Sequence, residues 1–470
     1  MKIFKNCIPM PVLALLCACS MAPDYQDPKK DAELEKAVGE NFFHAPNLWT
    51  SAKPADTENK GNWWSIFNDA VLSHYMEELA AHNPDLKSAF YTVEQARAAA
   101  AMTEAELYPW LNGDAEYSRT GLSDNTFGSS GATYNKWLIG ASLTWDPDFF
   151  GRVRNLMNSD MAKAQSLLAA YKDTMLRLQS ELAIAYFSLK QYNSEKILLK
   201  ETIDVRQEQV KLVNERFKSG TSILVDLRRA EQQLYEAKAQ YSAILKSADL
   251  TKDYIALLLG KTRSQINISD AVLSDSLPKA PKCVPSQVLQ RRYDIASAER
   301  LVYAANERIG AANAAFFPTV TISASADYAA ADIDKLFDAS SLAWGVGPRI
   351  YMPLFQAGKL YAQRKTALYE HKQILESYRA TVLRAMKEVE DSLTSIKHLE
   401  NEYNDRERCM KAAKEVESLT KKQYDLGYVD YFEVSDAQRL SLVNEREVIS
   451  LKGSQFKALI QLIVASGGSL

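Results

Sequence analysis

The longest regular pattern of apolar positions lies between Gly151 and Gly220, a stretch with no proline and with glycine only at its two ends. Its apolar residues recur in steps of three, four or seven, which is the alternation of a coiled-coil seam. At ~1.5 Å per residue, a helix of roughly 67 residues is on the order of 100 Å long, more than the width of a globular domain. The pattern therefore predicts a helix long enough to connect regions of the molecule that lie far apart. The seam positions are Leu178, Leu182, Ala185, Leu189, Tyr192, Leu199, Ile203, Val210, Val213 and Phe217.

This stretch occurs twice in the chain. A shift of 207 positions carries Gly151 to Gly358 and Gly220 to Gly427. Because local coincidence rarely keeps one offset over such a distance, the pattern predicts a duplicated unit of roughly 200 residues. Two copies are too few for a solenoid, so we expect the repeat to build symmetry into an assembly.

The repeat divides the chain into four predicted segments. A signal peptide covers residues 1–18, an N-terminal arm 19–68, the first repeat 69–275 and the second repeat 276–470. Each repeat is predicted to contain a helix, two strands, a very long helix, a glycine turn and a returning helix.

The predicted strands alternate apolar and polar residues with period two, as expected for a sheet with one apolar face. They lie near 110–119, 136–146, 319–328 and 343–352, and Pro348 interrupts the alternation of the fourth. The clearest apolar positions are Leu111, Gly113, Ala115 and Tyr117, then Trp137, Ile139, Ala141, Leu143 and Trp145, and then Val320, Ile322, Ala324, Ala326 and Tyr328.

Four such strands are too few to close a barrel, which needs at least about eight. An open sheet with two exposed edges would aggregate, and a sandwich would need further strands to pack against. Aromatic residues at the strand ends are typical of the girdles of a transmembrane barrel. The sequence therefore predicts a barrel shared between subunits, and the residues alone leave eight, twelve or sixteen strands open. These aromatic residues are Tyr108, Trp110, Trp145, Trp344 and Tyr351.

The N-terminus has the features of a bacterial export signal, with Lys2 and Lys5 followed by a short apolar segment. The segment Leu16-Cys-Ala-Cys19 resembles a lipobox, so Cys19 is predicted to carry a covalent diacylglycerol and an N-acyl lipid. Ordinary signal cleavage nearby is the alternative. Cys17 is the weaker candidate because a leucine precedes it, and Ser20 after the lipid cysteine implies sorting to the outer membrane.

Composition argues against several other classes of protein. A net charge of -3 and a pI near 6.1 give no basic surface for nucleic acid. No run reaches the ~18 apolar residues of a membrane-spanning helix. The cysteines and the five histidines have no disulfide or metal spacing. Gly260-Lys-Thr262 is not a phosphate-binding loop, because Ile255 stands where that motif needs glycine. We therefore expect no catalytic residue, no metal and no bound cofactor.

Several motifs together resemble those of the outer membrane factors, the TolC/OprM-like channels, and in particular their lipoprotein branch. The resemblance covers nearly the whole mature chain in family order. Two departures are Tyr293, where proline is usual, and Pro147, an added proline before the first long helix. The motifs are Ala22-Pro-Asp-Tyr25, Trp63-Trp64 with Phe67, Phe149-Phe-Gly-Arg152, Arg291-Arg-Tyr-Asp-Ile295 with Ala298-Glu299, Phe316-Phe-Pro318, and Pro353-Leu-Phe-Gln-Ala-Gly358.

This resemblance implies an α+β membrane protein. Three copies would form a 12-stranded β-barrel, with four strands per chain, continued by a long α-helical coiled-coil barrel in the periplasm. The implied function is the outer membrane channel of a tripartite efflux system, a passive homotrimeric conduit opened by a periplasmic adaptor protein and supplied by an inner membrane transporter, most often of the RND type. A channel for type I protein secretion and a lipid-anchored coiled-coil surface adhesin are the alternatives, and a membrane-anchored enzyme would need a cluster of polar residues that the sequence lacks.

The helix tips carry the candidate functional residues. Glu433 and Asp436 are three positions apart, so they share one helix face, and a threefold assembly would gather six carboxylates into a cation-favouring ring. Solvated surface acids are the alternative. The resemblance implies a periplasmic gate, because the family's gating acids fall six and nine residues after the tip glycine. It also implies that Asp226 and Tyr424 hold the gate closed, and that the adaptor docks at the turns of Gly220 and Gly427.

Overall fold

The computed structural model describes residues 20–28, 62–125, 131–268, 270–274, 276–278 and 291–468. Cys19, most of the predicted N-terminal arm and part of the link between the repeats lie outside the described residues. The chain forms two compact units. The strand unit comprises 1–34, 91–168 and 297–379, and the helix unit comprises 35–90, 169–296 and 380–470. Each unit therefore takes segments from both repeats.

Seven α-helices longer than one turn occur in the part of the chain that the structure describes. Pro84 is the first residue of the second helix, a position at which the missing backbone N–H loses no hydrogen bond. Asp69 caps the first, since its carboxylate accepts hydrogen bonds from the N–H groups of Val71 and Leu72 at 3.0 and 3.1 Å. The helices are α1 Ala70–His82, α2 Pro84–Ala105, α3 Arg152–Lys218, α4 Leu224–Leu258, α5 Tyr293–Ala314, α6 Lys359–Asp425 and α7 Tyr431–Ala465.

The helix bounds confirm the internal repeat. Helices α3 and α6 have 67 residues each, and helices α4 and α7 have 35 each. Both pairs are displaced by the 207 positions found in the sequence. Gly151 and Gly358 precede the long helices with φ angles of 73° and 84°. These left-handed turns favour glycine, which explains why glycine stands at that position in both copies.

The strand unit contains one antiparallel sheet in the order β1-β2-β3-β4. Its register confirms the predicted apolar face, because Leu111 pairs with Leu143 and Tyr117 with Trp137. The same face continues into the second repeat, where Ile139 lies opposite Tyr328. The β2–β3 pairing therefore joins the two repeats into a single surface. The strands are β1 Trp110–Gly121, β2 Thr133–Trp145, β3 Thr319–Ala330 and β4 Leu342–Tyr351.

The opposite face of the sheet is polar. Asp114 and Asp327 are both paired with Gly140, and Lys136 lies 3.6 Å from the Glu116 carboxylate across β1 and β2. A side chain at Gly140 would place its Cβ 2.7 Å from Asp327 Cγ, so the glycine leaves room for this carboxylate. The sheet thus separates an apolar surface from a charged one, as a barrel wall between lipid and water requires.

The helix unit has the larger apolar core. Leu72 and Met76 of α1 are fully buried with Leu182 of α3 and Ile460 of α7. Phe187 stacks on Phe456 with 4.6 Å between ring centroids. Helix α7 is long and apolar enough to cross a membrane by composition alone, with a mean hydropathy of 1.3 in its most apolar window. Four large apolar residues of this helix belong to the core, namely Phe456, Leu459, Ile460 and Ile463.

The two departures from the family pattern are accommodated locally. Tyr293 occupies the first position of α5, where proline is often found, and Lys172 Nζ lies 5.5 Å from the centre of its ring. After Pro147 the chain makes a short turn, in which Phe149 N–H donates to the Pro147 carbonyl at 3.0 Å. The Asp148 carboxylate then accepts from Arg154 N–H at 2.8 Å, within the first turn of α3.

Candidate functional site

Both long helices end at a glycine turn, as predicted. Gly220 and Gly427 have φ angles of 76° and 79°, and a Cβ at either position would meet no atom within 4 Å. The backbone bonds have the Schellman pattern. Gly220 N–H donates to Phe217 O at 3.0 Å and Thr221 N–H to Arg216 O at 2.9 Å, with the same arrangement at Gly427. The glycines are therefore required by backbone conformation and not by packing.

A small apolar group, here called the tip cluster, connects the ends of the two repeats. Tyr431 is its centre and is 4 % exposed, although it begins a helix. Tyr424 packs against it edge to face, with 5.7 Å between ring centroids, and Arg216 Cζ lies 5.0 Å from the centre of the Tyr424 ring. Aromatic and cation–π contacts thus hold α6 beside α3 and α7 at this end. The tip cluster comprises Val210, Val213, Leu227, Ala230, Tyr424 and Tyr431.

Asp226 lies in the first turn of α4, half-buried beside this cluster. Its carboxylate accepts a hydrogen bond from Ser222 Oγ at 3.1 Å. Burial raises the pKa of Tyr431 to about 12, and the nearby Tyr424 and the negative charge of Asp226 act in the same direction. Asp226 and Tyr424 therefore both lie beside Tyr431. Asp226 and Tyr424 make no hydrogen bond with each other in the structure.

Sequence reasoning missed Tyr431. Its counterpart in the first repeat is Leu224, which is exposed. The two repeats therefore differ at this position. The sequence signal that could have identified Tyr431 is the aromatic residue at the start of the second helix, where the first repeat has an aliphatic one.

The two candidate gating acids lie on the more solvent-exposed side of α7. Glu433 is exposed and Asp436 half-buried, while Val434 and Ala437 between and beside them are buried. Asp436 Oδ1 pairs with Arg439 Nη2 at 2.7 Å. Glu433 makes no ion pair with any residue that the structure describes. Each chain therefore offers one uncompensated and one paired carboxylate, a distinction that the spacing of the acids did not reveal.

A buried polar chain lies next to the tip cluster. Arg206 Nη1 of α3 donates to the Gln233 carbonyl of α4 at 2.6 Å, and Gln233 Nε2 donates to the Ser435 carbonyl of α7 at 2.7 Å. Burial lowers the pKa of Arg206. Ser435 lies between Glu433 and Asp436, so these bonds connect α3 and α4 of the first repeat to α7 of the second at the level of the acids. No group of His, Cys, Asp and Glu side chains in the described residues is arranged to hold a metal ion.

Comparison with known proteins gives one consistent result. The model of the outer membrane efflux protein family matches residues 75–261 and 284–468. The cation efflux system protein CusC of Escherichia coli is 29 % identical over 463 residues, which cover 98 % of each chain. The solvent efflux pump outer membrane protein SrpC of Pseudomonas putida is also 29 % identical, over 99 % of this chain and 98 % of that protein. A crystal structure of CusC superposes with a TM-score of 0.81 at 28 % identity, covering 96 % of this chain and all of the other.

Proposed function

The chain belongs to the outer membrane efflux protein family, and we propose that three copies of it form the passive channel of a tripartite export system. Members of this family are efflux channel proteins of the bacterial outer membrane. The protein thus provides a conduit from the periplasm to the exterior. Its own residues supply the wall, the gate and the docking surface, and the driving force comes from an inner membrane transporter.

The sheet is the observation that carries this proposal. One continuous apolar face runs across all four strands, opposite a face of small, polar and charged residues, and β1 and β4 end the sheet with unpaired edges. A second copy that places its β1 beside this β4 pairs one edge of each chain. Repetition of that step closes a barrel, and three copies give the twelve strands that the family resemblance implies.

Native mass spectrometry of the detergent-solubilised protein tests this assembly. We expect a single species of three copies, because strand edges that are closed by hydrogen bonds on both sides survive gentle ionisation. A stable monomer, or a ring with any other number of copies, would contradict the twelve-stranded barrel. Collisional activation of the same sample identifies the single-chain mass and serves as the internal control.

Lipid attachment at Cys19 is the second part of the proposal. The lipobox spacing and the serine at position 20 support it. Mass spectrometry of the mature N-terminal peptide should show Cys19 as the first residue, with a diacylglyceryl group on sulfur and an acyl group on nitrogen. The Cys19→Ser variant should lack both masses. An unmodified peptide that begins upstream of Cys19 would overturn the assignment.

The gate is proposed to open when a periplasmic adaptor binds the helix tips. Large apolar side chains are exposed there, which suits contact with another protein. Tyr428 is 78 % exposed and Leu426 72 %, directly beside Gly427, and Ile223 is exposed next to the other turn. The glycine turns allow each helix pair to move at its tip, and separation of α4 from α7 there would break the hydrogen bond from Gln233 to Ser435 in the buried polar chain. Glu433 and Asp436 would form the acidic constriction, and Asp226 and Tyr424 would stabilise the closed arrangement.

We propose that the partner proteins, and not this chain, determine which substrate is exported. Two relatives at the same 29 % identity are named for cations and for solvents, so similarity to either one does not select a substrate class. We propose an RND-type transporter as the inner membrane partner. Co-purification with the cognate adaptor and transporter identifies the cargo, and recovery with a type I secretion transporter would favour protein secretion instead.

A further inference from the structure

Helix α7 is buried on two sides, whereas the equivalent helix α4 is buried on one. A shift of 207 positions relates the two helices residue by residue. Leu442 of α7 is 7 % exposed, while Tyr235 at the equivalent position of α4 is 65 % exposed. From residue 232 to the end of α4, four residues are exposed where their α7 counterparts are buried, and their spacing places them on one face of the helix. This face, called the open face of α4, comprises Tyr235, Lys246, Asp249 and Asp253.

Helix α3 covers the second side of α7. The Arg446 guanidinium of α7 lies 3.0 Å from the Glu195 carboxylate of α3. A Cβ at Gly453 of α7 would lie 3.1 Å from Cγ of Gln191 on α3. Residue numbers thus fall along α3 as they rise along α7, so the two helices are antiparallel. We call this contact between the two repeats the α3–α7 seam.

The helix equivalent to α3 in the second repeat lacks such cover. Gln191 and Glu195 are buried in the α3–α7 seam. Their counterparts on α6, His398 and Glu402, are exposed. Each chain therefore has one complete seam and the two uncovered halves of a second one, on α4 and on α6.

We propose that the open face of α4 packs against α6 of a neighbouring copy, in the arrangement of the α3–α7 seam. Subtracting 207 from the α7 positions and adding 207 to the α3 positions converts the observed contacts into contacts between copies. Lys246 then lies beside the partner's His398, and Ala239 lies beside the partner's Glu402. The inference rests on the proposed three-copy channel, in which seams within chains and seams between chains alternate around the ring.

Uncompensated charges of opposite sign lie on the two faces. Lys246 and Glu402 are both exposed, and neither forms an ion pair within the described part of the chain. In the α3–α7 seam Glu195 is paired with Arg446, whereas α4 has alanine at the position of that arginine. The Lys246 side chain begins one helical turn from the partner's Glu402, a distance that it can span. Lys246 therefore replaces the missing arginine as the cation for this carboxylate.

The exposed ring of Tyr235 also gains a contact in this arrangement. Its counterpart Leu442 belongs to the same apolar cluster as Leu199 of α3. The α6 residue equivalent to Leu199 is Arg406. Tyr235 thus lies beside the partner's Arg406, and a guanidinium over a tyrosine ring forms a favourable cation–π contact.

Chemical cross-linking of paired cysteines tests the seam between copies in the full-length protein. Cys283 and Cys409 are changed to serine, and Lys246→Cys and His398→Cys are introduced together. A short bismaleimide added to the detergent-solubilised protein should link each copy to both of its neighbours. We expect most of the protein to migrate as a covalent three-copy band on a denaturing gel, because position 246 of each chain lies beside position 398 of the next. The protein without the two introduced cysteines measures the background.

Lys246→Cys combined with Asn404→Cys is the matched control. Asn404 lies on α6 close in sequence to His398, but its counterpart Ile197 is exposed and lies outside the α3–α7 seam. This pair should give no linked band above background. Native mass spectrometry of the same samples separates the seam from the proposed channel. A three-copy mass with equal cross-linking for both pairs, or with none, would overturn the seam, and a single-copy mass would overturn the channel and the seam together.

Exchange of the two charges tests the ion pair itself. Lys246→Glu places two like charges in the seam and should lower the association constant of the copies about five-fold per seam, as expected when an exposed pair is lost. Lys246→Glu combined with Glu402→Lys brings back opposite charges and should recover most of the wild-type value. Native mass spectrometry of serially diluted protein measures the association. A double variant that associates no better than Lys246→Glu alone would contradict the pairing.

Discussion

Neutralising Glu433 and Asp436 together is expected to abolish the cation preference of the assembled channel. In a threefold assembly the three Glu433 carboxylates are uncompensated, whereas each Asp436 is paired with Arg439. A cation about 7 Å from three such charges in water gains roughly 2 kcal/mol before salt screening, an enrichment on the order of ten-fold. The double variant Glu433→Gln/Asp436→Asn removes the charge and keeps the side-chain shape. Its reversal potential in a planar bilayer under a KCl gradient should move close to zero.

The ion pair between Asp436 and Arg439 provides a control variant in which cation preference should increase. Arg439→Gln frees Asp436 and should strengthen cation preference, because six carboxylates are then uncompensated. Asp405→Asn alters a similar exposed pair with Arg408, also three residues apart but far along the chain from the tip, and should have no effect on selectivity. If the double variant keeps the wild-type reversal potential, Glu433 and Asp436 are ordinary surface acids.

The repeat, the strands and the tip turns could be predicted because each depends on local chemistry. Heptad spacing predicted the two long helices to within two residues at each end, since a helix without proline or internal glycine continues until a glycine stops it. Alternation predicted the apolar face that Leu111 and Leu143 share, because side chains on a strand alternate between its faces. The Schellman turns at Gly220 and Gly427 follow from the one residue type that tolerates positive φ.

Partners across the helix interfaces were not predictable from these patterns. Tyr431 and Leu224 occupy equivalent positions, yet only Tyr431 is buried. Tyr424 packs edge to face on Tyr431, whereas Phe217, the counterpart of Tyr424, is 38 % exposed. Gly310 of α5 packs against the Ala22 backbone, although the two residues are far apart in sequence. Such contacts depend on which helix faces pack together. The periodicity of apolar residues along the chain does not determine this packing.

Replacing Arg292 by methionine should cause the largest loss of stability, because one buried guanidinium connects three segments of the helix unit. Arg292 is 6 % exposed, and its Nη2 lies 2.8 Å from the Asp294 carboxylate and 2.7 Å from that of Glu388. Its Nη1 donates to the Ala465 carbonyl at the end of α7, at 3.0 Å. Removal leaves two carboxylates and a carbonyl without their donor, which costs about 3–5 kcal/mol for a buried pair.

Arg228→Met provides the matched control for this variant. Arg228 of α4 is mostly exposed and pairs with Glu231 at 2.6 Å, so its removal should cost no more than about 1 kcal/mol. Thermal unfolding followed by circular dichroism at 222 nm compares the two variants at pH 7. Equal midpoints for Arg292→Met and Arg228→Met would show that the buried network contributes no more than a surface pair.

The pH dependence of the Arg292 variant should identify the cause of its instability. Burial alone would raise the pKa of Asp294, but the hydrogen bonds and charge of Arg292 outweigh burial and hold that pKa below its usual range. A lowered pKa contributes stability that is present above the unfolded value of about 3.9 and is lost as the pH falls through the folded pKa. In Arg292→Met this contribution is absent, and the buried Asp294 charge instead destabilises the folded state at neutral pH. The gap in midpoint between wild type and variant should therefore narrow from pH 7 to pH 4. A constant gap would assign the effect to lost packing of the arginine stem and not to the uncompensated carboxylate.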